Sequence, residues 1–256
     1  KDALLFVHGW YQNGMQAWST QIASFEKKYH IFVPDLLGHG LSTLADTKNF
    51  SIATNRAILT EFIHHIKKTY KIRRVILLGH SYGAFAVLDL ISQTPNLIAG
   101  VVVLAAVDDY APYVGQLKRI LRFPFFLGFI YYRIQALLGL FPYGDRQLLY
   151  GNIIPSLYPK RLLYGKIKNK TLSLKNSRAY MRAFIHAKVI WPKEKIRTPI
   201  LLLYGERDIL TPHTHAKKIE PRFVSSSCKI ILNAGHNVQI SGAKIIEKDI
   251  LKFIEK

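Results

Sequence analysis

The chemistry of this chain starts at a serine between two glycines. Gly79-His80-Ser81-Tyr82-Gly83 follows an apolar run at 75–78 and precedes a helix-like stretch at 84–91. This is a G-x-S-x-G pattern at a strand-to-helix turn, sharp enough to force Ser81 into strained backbone geometry and to demand small residues at Gly79 and Gly83. A plain glycine turn with a capping serine would use the same letters, but the placement between strand and helix favours a nucleophile. A hydroxyl is a weak nucleophile at neutral pH, so a base must adjoin it and a third group must hold that base in the right tautomer. Both occur downstream. Asp208 closes Tyr204-Gly205-Glu206-Arg207-Asp208 after the run at 200–203, and His236 closes Asn233-Ala234-Gly235-His236 after the run at 230–232. The order Ser, Asp, His is the one this kind of turn uses. Asp108, with Asp109 just after the run at 101–105, stands as the alternative acid.

These residues need a scaffold that gathers strand ends. Short apolar runs at 3–7, 31–33, 75–78, 101–105, 200–203 and 230–232 read as strands buried on both faces. Between them lie helical spacings: Met15, Trp18, Ile22, Phe25 and Tyr29; then Ile58, Leu59, Phe62, Ile63 and Ile66; then Ile245, Ile246, Ile250, Leu251 and Ile254 near the C-terminus. Strand alternating with helix predicts a mostly parallel sheet with helices on both faces, where function collects at the carboxyl ends of the strands. The alternation breaks once. Residues 108–195 carry no strand-like run and read as a helical insertion between core segments 1–107 and 196–256.

Gly-His-Ser-Tyr-Gly, Gly-Glu-Arg-Asp-Ile-Leu-Thr-Pro and Ala-Gly-His-Asn resemble the nucleophile, acid and histidine segments of the α/β-hydrolase superfamily. Val7-His8-Gly9-Trp10 resembles its His-Gly turn, and the run from Pro34 and Asp35 to Leu41 and Ser42 resembles its Asp-x-x-Gly-x-Gly-x-Ser loop. The resemblance implies Ser81 as nucleophile, His236 as general base and Asp208 as the orienting acid. It further implies backbone N–H groups of Trp10 and Tyr82 as oxyanion donors, with His8, Gly9, Gly79 and Gly83 in support and no cofactor. The insertion falls where that superfamily carries a variable lid. The strands that usually precede the His-Gly turn are missing, and the chain starts at Lys1 directly before a strand-like run. An upstream segment is therefore expected, with room in it for a signal or an anchor.

The formal net charge is +20, and it is regional: between Tyr110 and Lys195 stand 16 Lys and Arg against Asp145 and Glu194. The same region holds the apolar stretch 123–141, interrupted by Pro124, Gly128, Arg133, Gln135 and Gly139. Pro124, the glycines and Arg133 argue against a membrane span. An apolar lid over an acyl pocket, its basic outer side touching anionic membrane, accounts for both features. An equally simple lid packs on the sheet and nothing else. The lid's composition points to an esterase or monoacylglycerol-lipase-like activity on an apolar acyl ester. Thioesterase, acyltransferase, peptidase and carbon–carbon hydrolase chemistry reuse the same triad, and a noncatalytic membrane-surface binding protein is the rival from another class.

Other residues are set aside. Asp35 reads as an acceptor for loop N–H groups, and His39 and His80 as supporting hydrogen-bond partners. His213 and His215 follow Thr211-Pro212 at a helix start, where they diverge, so no metal site is expected. His64 and His65 read as surface residues. The charge can attract polyanions, but no signature of specific nucleic-acid binding is present. The single cysteine, Cys228, excludes an internal disulfide, reads as a small buried hydrophobe and gives no sign of an oxidising compartment. A cytoplasmic or peripheral-membrane location is expected.

Overall fold

The aliphatic runs assemble into one parallel sheet, and its strand order decides where the chemistry can sit. The computed structural model describes residues 2–10, 12–111, 174–184 and 187–255. Strands β1 (Asp2–Val7), β2 (His30–Phe32), β3 (Arg74–His80), β4 (Gly100–Leu104), β5 (Ile200–Gly205) and β6 (Ser226–Ile231) lie in the order β2-β1-β3-β4-β5-β6. Every pairing is parallel, with Leu4 opposite Ile76 and Ile31, and Leu202 opposite Cys228. From β1 the chain passes to β2 on one side and then to β3 on the other, which makes the β1/β3 boundary the topological switch point.

Alternation along the strands splits the core into two layers. Leu5, Val7, Leu77, Val103 and Leu202 face α2 (Ile52–Thr69) and α3 (Tyr82–Gln93), whereas Leu4, Phe6, Leu78, Leu104 and Leu203 face α1 (Gly14–Phe25) and the C-terminal helix. Among the described residues, the remaining α-helices in chain order are α4 (Leu174–Phe184), α5 (Ala216–Ile219), α6 (Val238–Ser241) and α7 (Ala243–Ile254). Asn13 caps α1 by accepting the Gln16 N–H, and Ser51 with Thr54 forms a reciprocal capping box on α2. These caps start each helix where its apolar stripe begins: Trp18 and Phe25 on α1, and Leu59, Ile63 and Ile66 on α2. Tyr29, expected on the α1 stripe, lies past the helix end, and Ile58 and Ile245 are about half exposed.

Three expectations change at the sheet edges. The two edge strands are not buried on both faces: β2 is half-buried along its length, and Ser226 to Ile230 of β6 are exposed. Cys228 lies on that edge and is exposed rather than a buried hydrophobe. Among the described residues these two strands have a neighbour on one side only, which no local apolar count can reveal. Arg74 is the first residue of β3 and pairs with Asp2 across the β1/β3 boundary at 3.3 Å.

Of the expected insertion, the apolar stretch 123–141 lies outside the described residues. Nearer the insertion's C-terminal end stands α4, whose Ala179, Tyr180, Met181 and Phe184 are buried in the layer that holds α3. Asn176 donates to the Gly38 carbonyl and Tyr180 to the Leu37 carbonyl, at 3.1 and 2.7 Å. Among the described residues, no helix is long and apolar enough to cross a membrane.

Candidate active site

Ser81 takes its place because β3 turns into α3 with no spare residue. It precedes the helix with φ 53° and ψ −116°, a conformation that L-residues avoid and that surrounding structure must impose. The imposition comes from close packing. A Cβ on Gly83 would run into the Val7 and His8 carbonyl oxygens, and one on Gly79 would stand 2.6 Å from the Gly83 carbonyl oxygen. The Ser81 N–H is tied to the Leu104 carbonyl of β4 at 2.9 Å.

Asp208 and His236 arrive on the loops after β5 and β6. His236 Nε2 lies 2.9 Å from Ser81 Oγ, and His236 Nδ1 lies 2.9 Å from Asp208 Oδ2. An ionised carboxylate only accepts, so Nδ1 donates to it and Nε2 is left to accept the Ser81 hydroxyl proton. Asp208 is 4% exposed and is saturated with donors. Its Oδ1 accepts from the Leu210 and Thr211 N–H groups at 2.9 Å, and its Oδ2 accepts from Thr211 Oγ1 at 2.6 Å. Burial alone would raise its pKa; the adjacent His236 and the hydrogen bonds from His236 and Thr211 outweigh burial and hold it below the usual carboxylate value. The alternative acid, Asp108, is also buried, but its Oδ2 accepts from Trp191 Nε1 at 3.2 Å.

The turn after β1 supplies the other half of the site. Tyr82 is the first residue of α3, so its N–H has no intrahelical acceptor and lies at the positive end of the helix dipole. The Trp10 N–H shares a peptide plane with the Gly9 carbonyl, and that carbonyl is held by His8 Nδ1 at 2.8 Å and the Gln12 N–H at 3.3 Å. In a trans peptide the N–H points opposite to the C=O, so these bonds aim the Trp10 N–H. His8 Nε2 in turn accepts the Leu36 N–H at 2.9 Å, which uses both ring nitrogens of a neutral imidazole. Burial lowers the His8 pKa to about 4, so it stays neutral. Asp35 accepts from the Gly14 and Leu41 N–H groups at 2.8 and 2.9 Å, the loop-holding role expected of it.

His39 and His80 are both buried, and burial is the main cause lowering each pKa to about 3. His39 Nδ1 lies 3.1 Å from the Leu37 carbonyl, and His80 Nε2 lies 3.0 Å from the His236 carbonyl. An aromatic wall stands beside the site: Trp10 meets Phe184 edge-on at 5.2 Å, and Tyr110 stacks on Phe184 at 5.1 Å. Among the described residues, no group of three or more His, Cys, Asp and Glu is placed to hold a metal.

Sequence reading missed Gln12, Thr211 and Asn237. Thr211 was legible, because Asp followed three residues later by Thr is the pattern of a carboxylate accepting its own loop's N–H groups. Gln12 and Asn237 carried no local signal; only folding brings them 3.1 Å apart.

The family model described as "alpha/beta hydrolase fold" matches residues 2–243. Protein ABHD8 of Homo sapiens is 31% identical over 102 residues, covering 40% of this chain and 22% of that protein, so the match spans less than a quarter of the relative's length. Among solved structures, MGS-M2, an alpha/beta hydrolase enzyme from a Medee basin deep-sea metagenome library, superposes with a TM-score of 0.76 at 19% identity, covering 100% of this chain and 90% of that one. A thermophilic esterase from Thermogutta terrifontis gives a TM-score of 0.69 at 17% identity, with 100% and 90% covered. A match over this much of the chain, on a sheet of this order, shows that the chain belongs to the α/β-hydrolase fold family.

Proposed function

We propose that this protein is a serine hydrolase that cleaves carboxylic esters of apolar acyl groups through an acyl-enzyme. The observation that carries the reading is the unbroken chain Ser81 Oγ, His236 Nε2, His236 Nδ1, Asp208 Oδ2, with 2.9 Å at each hydrogen bond.

Ser81 Oγ attacks the ester carbonyl while its proton passes to His236 Nε2, and the imidazolium is held by Asp208. Negative charge appears on the carbonyl oxygen only at the tetrahedral stage, where the N–H groups of Trp10 and Tyr82 favour it over the ground state. Collapse breaks the bond to the alcohol, which leaves with the proton from His236. Water then attacks the acyl-enzyme by the same route, its proton going to His236, and releases the acid and Ser81.

The aromatic wall of Trp10, Tyr110 and Phe184 supports an apolar acyl group over a charged or sugar substrate. A serine rather than an aspartate at the elbow favours acyl transfer over epoxide or haloalkane opening, which resembling families run through a carboxylate. We place the catalytic core in 1–107 and 196–256 and the cap in 108–195. The 16 Lys and Arg between Tyr110 and Lys195 support peripheral contact of that cap with anionic membrane, and with it a cytoplasmic or membrane-peripheral location.

Fluorophosphonate labelling of the parent and of Ser81→Ala, with p-nitrophenyl esters of graded acyl length, tests this reading. Labelling and turnover that vanish in Ser81→Ala are the expected result, and a folded parent that does neither refutes the proposal. Sedimentation with vesicles of anionic and of neutral lipid tests the membrane contact, which requires salt-sensitive binding to the anionic ones only.

A further inference from the structure

The two halves of the site come from opposite parts of the sheet. Strands β3, β4 and β5 stand between β1, which leads into the Gly9–Trp10 turn, and β6, which leads into the His236 loop. At the usual strand spacing this separation is about 19 Å, so strand pairing does not register the two loops against each other. Catalysis needs that register to a fraction of an ångström.

A buried side chain bridges the gap. Gln12 is 9% exposed. Its Oε1 accepts the Gly9 N–H at 3.0 Å, and its Nε2 donates to Asn237 Oδ1, next to His236, at 3.1 Å. The same Oε1 lies 3.2 Å from His80 Nδ1, while His80 Nε2 reaches the His236 carbonyl at 3.0 Å. Gln12, Asn237, His236 and His80 thus stand in a ring of contacts, with Gly9 bonded to it at Gln12, that joins the turn after β1, the end of β3 and the loop after β6.

We propose that Gln12 is a positioning residue, a strap that locks the turn carrying the Trp10 N–H to the loop carrying His236. Its amide orientation is fixed, because the Gly9 N–H requires an oxygen and Nε2 is then the only group left to donate to Asn237. His80 cannot do the same work. Burial, with a smaller contribution from nearby His236, keeps its ring neutral, so one N–H faces two acceptor atoms and only one of the two contacts holds a proton. The strap through Gln12 needs no choice of tautomer. Its catalytic consequence rests on the serine-hydrolase reading; its structural consequence does not.

The test uses the full chain with Gln12→Met, which keeps the length and removes the polar groups, and Gln12→Glu, which keeps the acceptor for Gly9 while Asn237 turns its amide to donate. Amide hydrogen exchange is read on peptides spanning 8–12 and 233–238, and needs no turnover. In Gln12→Met exchange rises about tenfold or more in both peptides together, and Gln12→Glu restores slow exchange. For p-nitrophenyl ester hydrolysis kcat falls about 10- to 100-fold in Gln12→Met while KM stays within about twofold. A rise confined to 8–12, or a loss carried by KM, overturns the strap. If Gln12→Met does not fold, Asn237→Ala breaks the same link from the other side and must give the same paired rise. A parent without Ser81-dependent turnover removes the hydrolase reading alone and leaves exchange to decide the strap.

Discussion

Replacing Asp208 by Asn separates the proposed acid from its alternative and tests the tautomer logic of the site. The two backbone N–H groups of Leu210 and Thr211 both point at Oδ1, so the amide oxygen of the new side chain must take that place. Its NH2 then replaces Oδ2 and faces Thr211 Oγ1 and His236 Nδ1, which stand 2.6 and 2.9 Å from that oxygen. The Thr211 hydroxyl can rotate and accept, so the loop survives. His236 has no such freedom. Two N–H groups cannot face each other, so its proton moves to Nε2, the nitrogen 2.9 Å from Ser81 Oγ. A protonated Nε2 cannot accept the serine proton, and kcat should fall about 10⁴-fold, or about 5.5 kcal/mol of transition-state stabilisation. The assay is kcat for a p-nitrophenyl ester beside the rate of fluorophosphonate labelling, with thermal unfolding as the control for fold. Asp108→Asn serves as the comparison: Trp191 Nε1 can still donate to its amide oxygen, and activity should stay within a few-fold of the parent. The reasoning is refuted if Asp208→Asn keeps more than about a tenth of parental kcat, or if Asp108→Asn causes the greater loss.

Three further outcomes follow from the same contacts. His8→Leu removes one of the two donors that hold the Gly9 carbonyl, the nearer one, and frees the Leu36 N–H; kcat should fall by about tenfold or more with KM nearly unchanged, measured by steady-state kinetics. Gly83→Ala drives a Cβ into the Val7 and His8 carbonyls and should cost about 3 kcal/mol or more, seen as a lowered Tm or as insoluble protein. Stability should also decline as pH falls below about 6.5, the unfolded-state value. His8, His39 and His80 titrate near 4, 3 and 3 in the folded chain, so below 6.5 the unfolded state binds more protons. Each ring then removes about 2 kcal/mol by pH 5; Asp208, with its lowered pKa, loses its contribution in the same acid direction once pH reaches its own range. Denaturant unfolding at pH 7.5 and pH 5 measures the difference, and equal stability at both would contradict the buried neutral rings.

The sequence by itself determined the alternation of strands and helices, the parallel sheet, and the residues that meet at its carboxyl edge. It could do so because each signal is local. A strand buried on both faces reads as an aliphatic run, the elbow announces itself by glycines two residues either side of Ser81, Asp208 follows the aliphatic run of β5, and His236 follows the short apolar run at 230–232. What needs partners from elsewhere was decided by tertiary structure alone. The exposure of Cys228 and the half-burial of β2 depend on which strands have one neighbour rather than two. Which of Asp108 and Asp208 lies against His236 Nδ1 was likewise decided by folding: the contact is made by Asp208. Gln12 and Asn237 are 225 positions apart and share a hydrogen bond. No spacing rule reaches that far, because the contact exists only once the loops after β1 and β6 are folded across the strands between them.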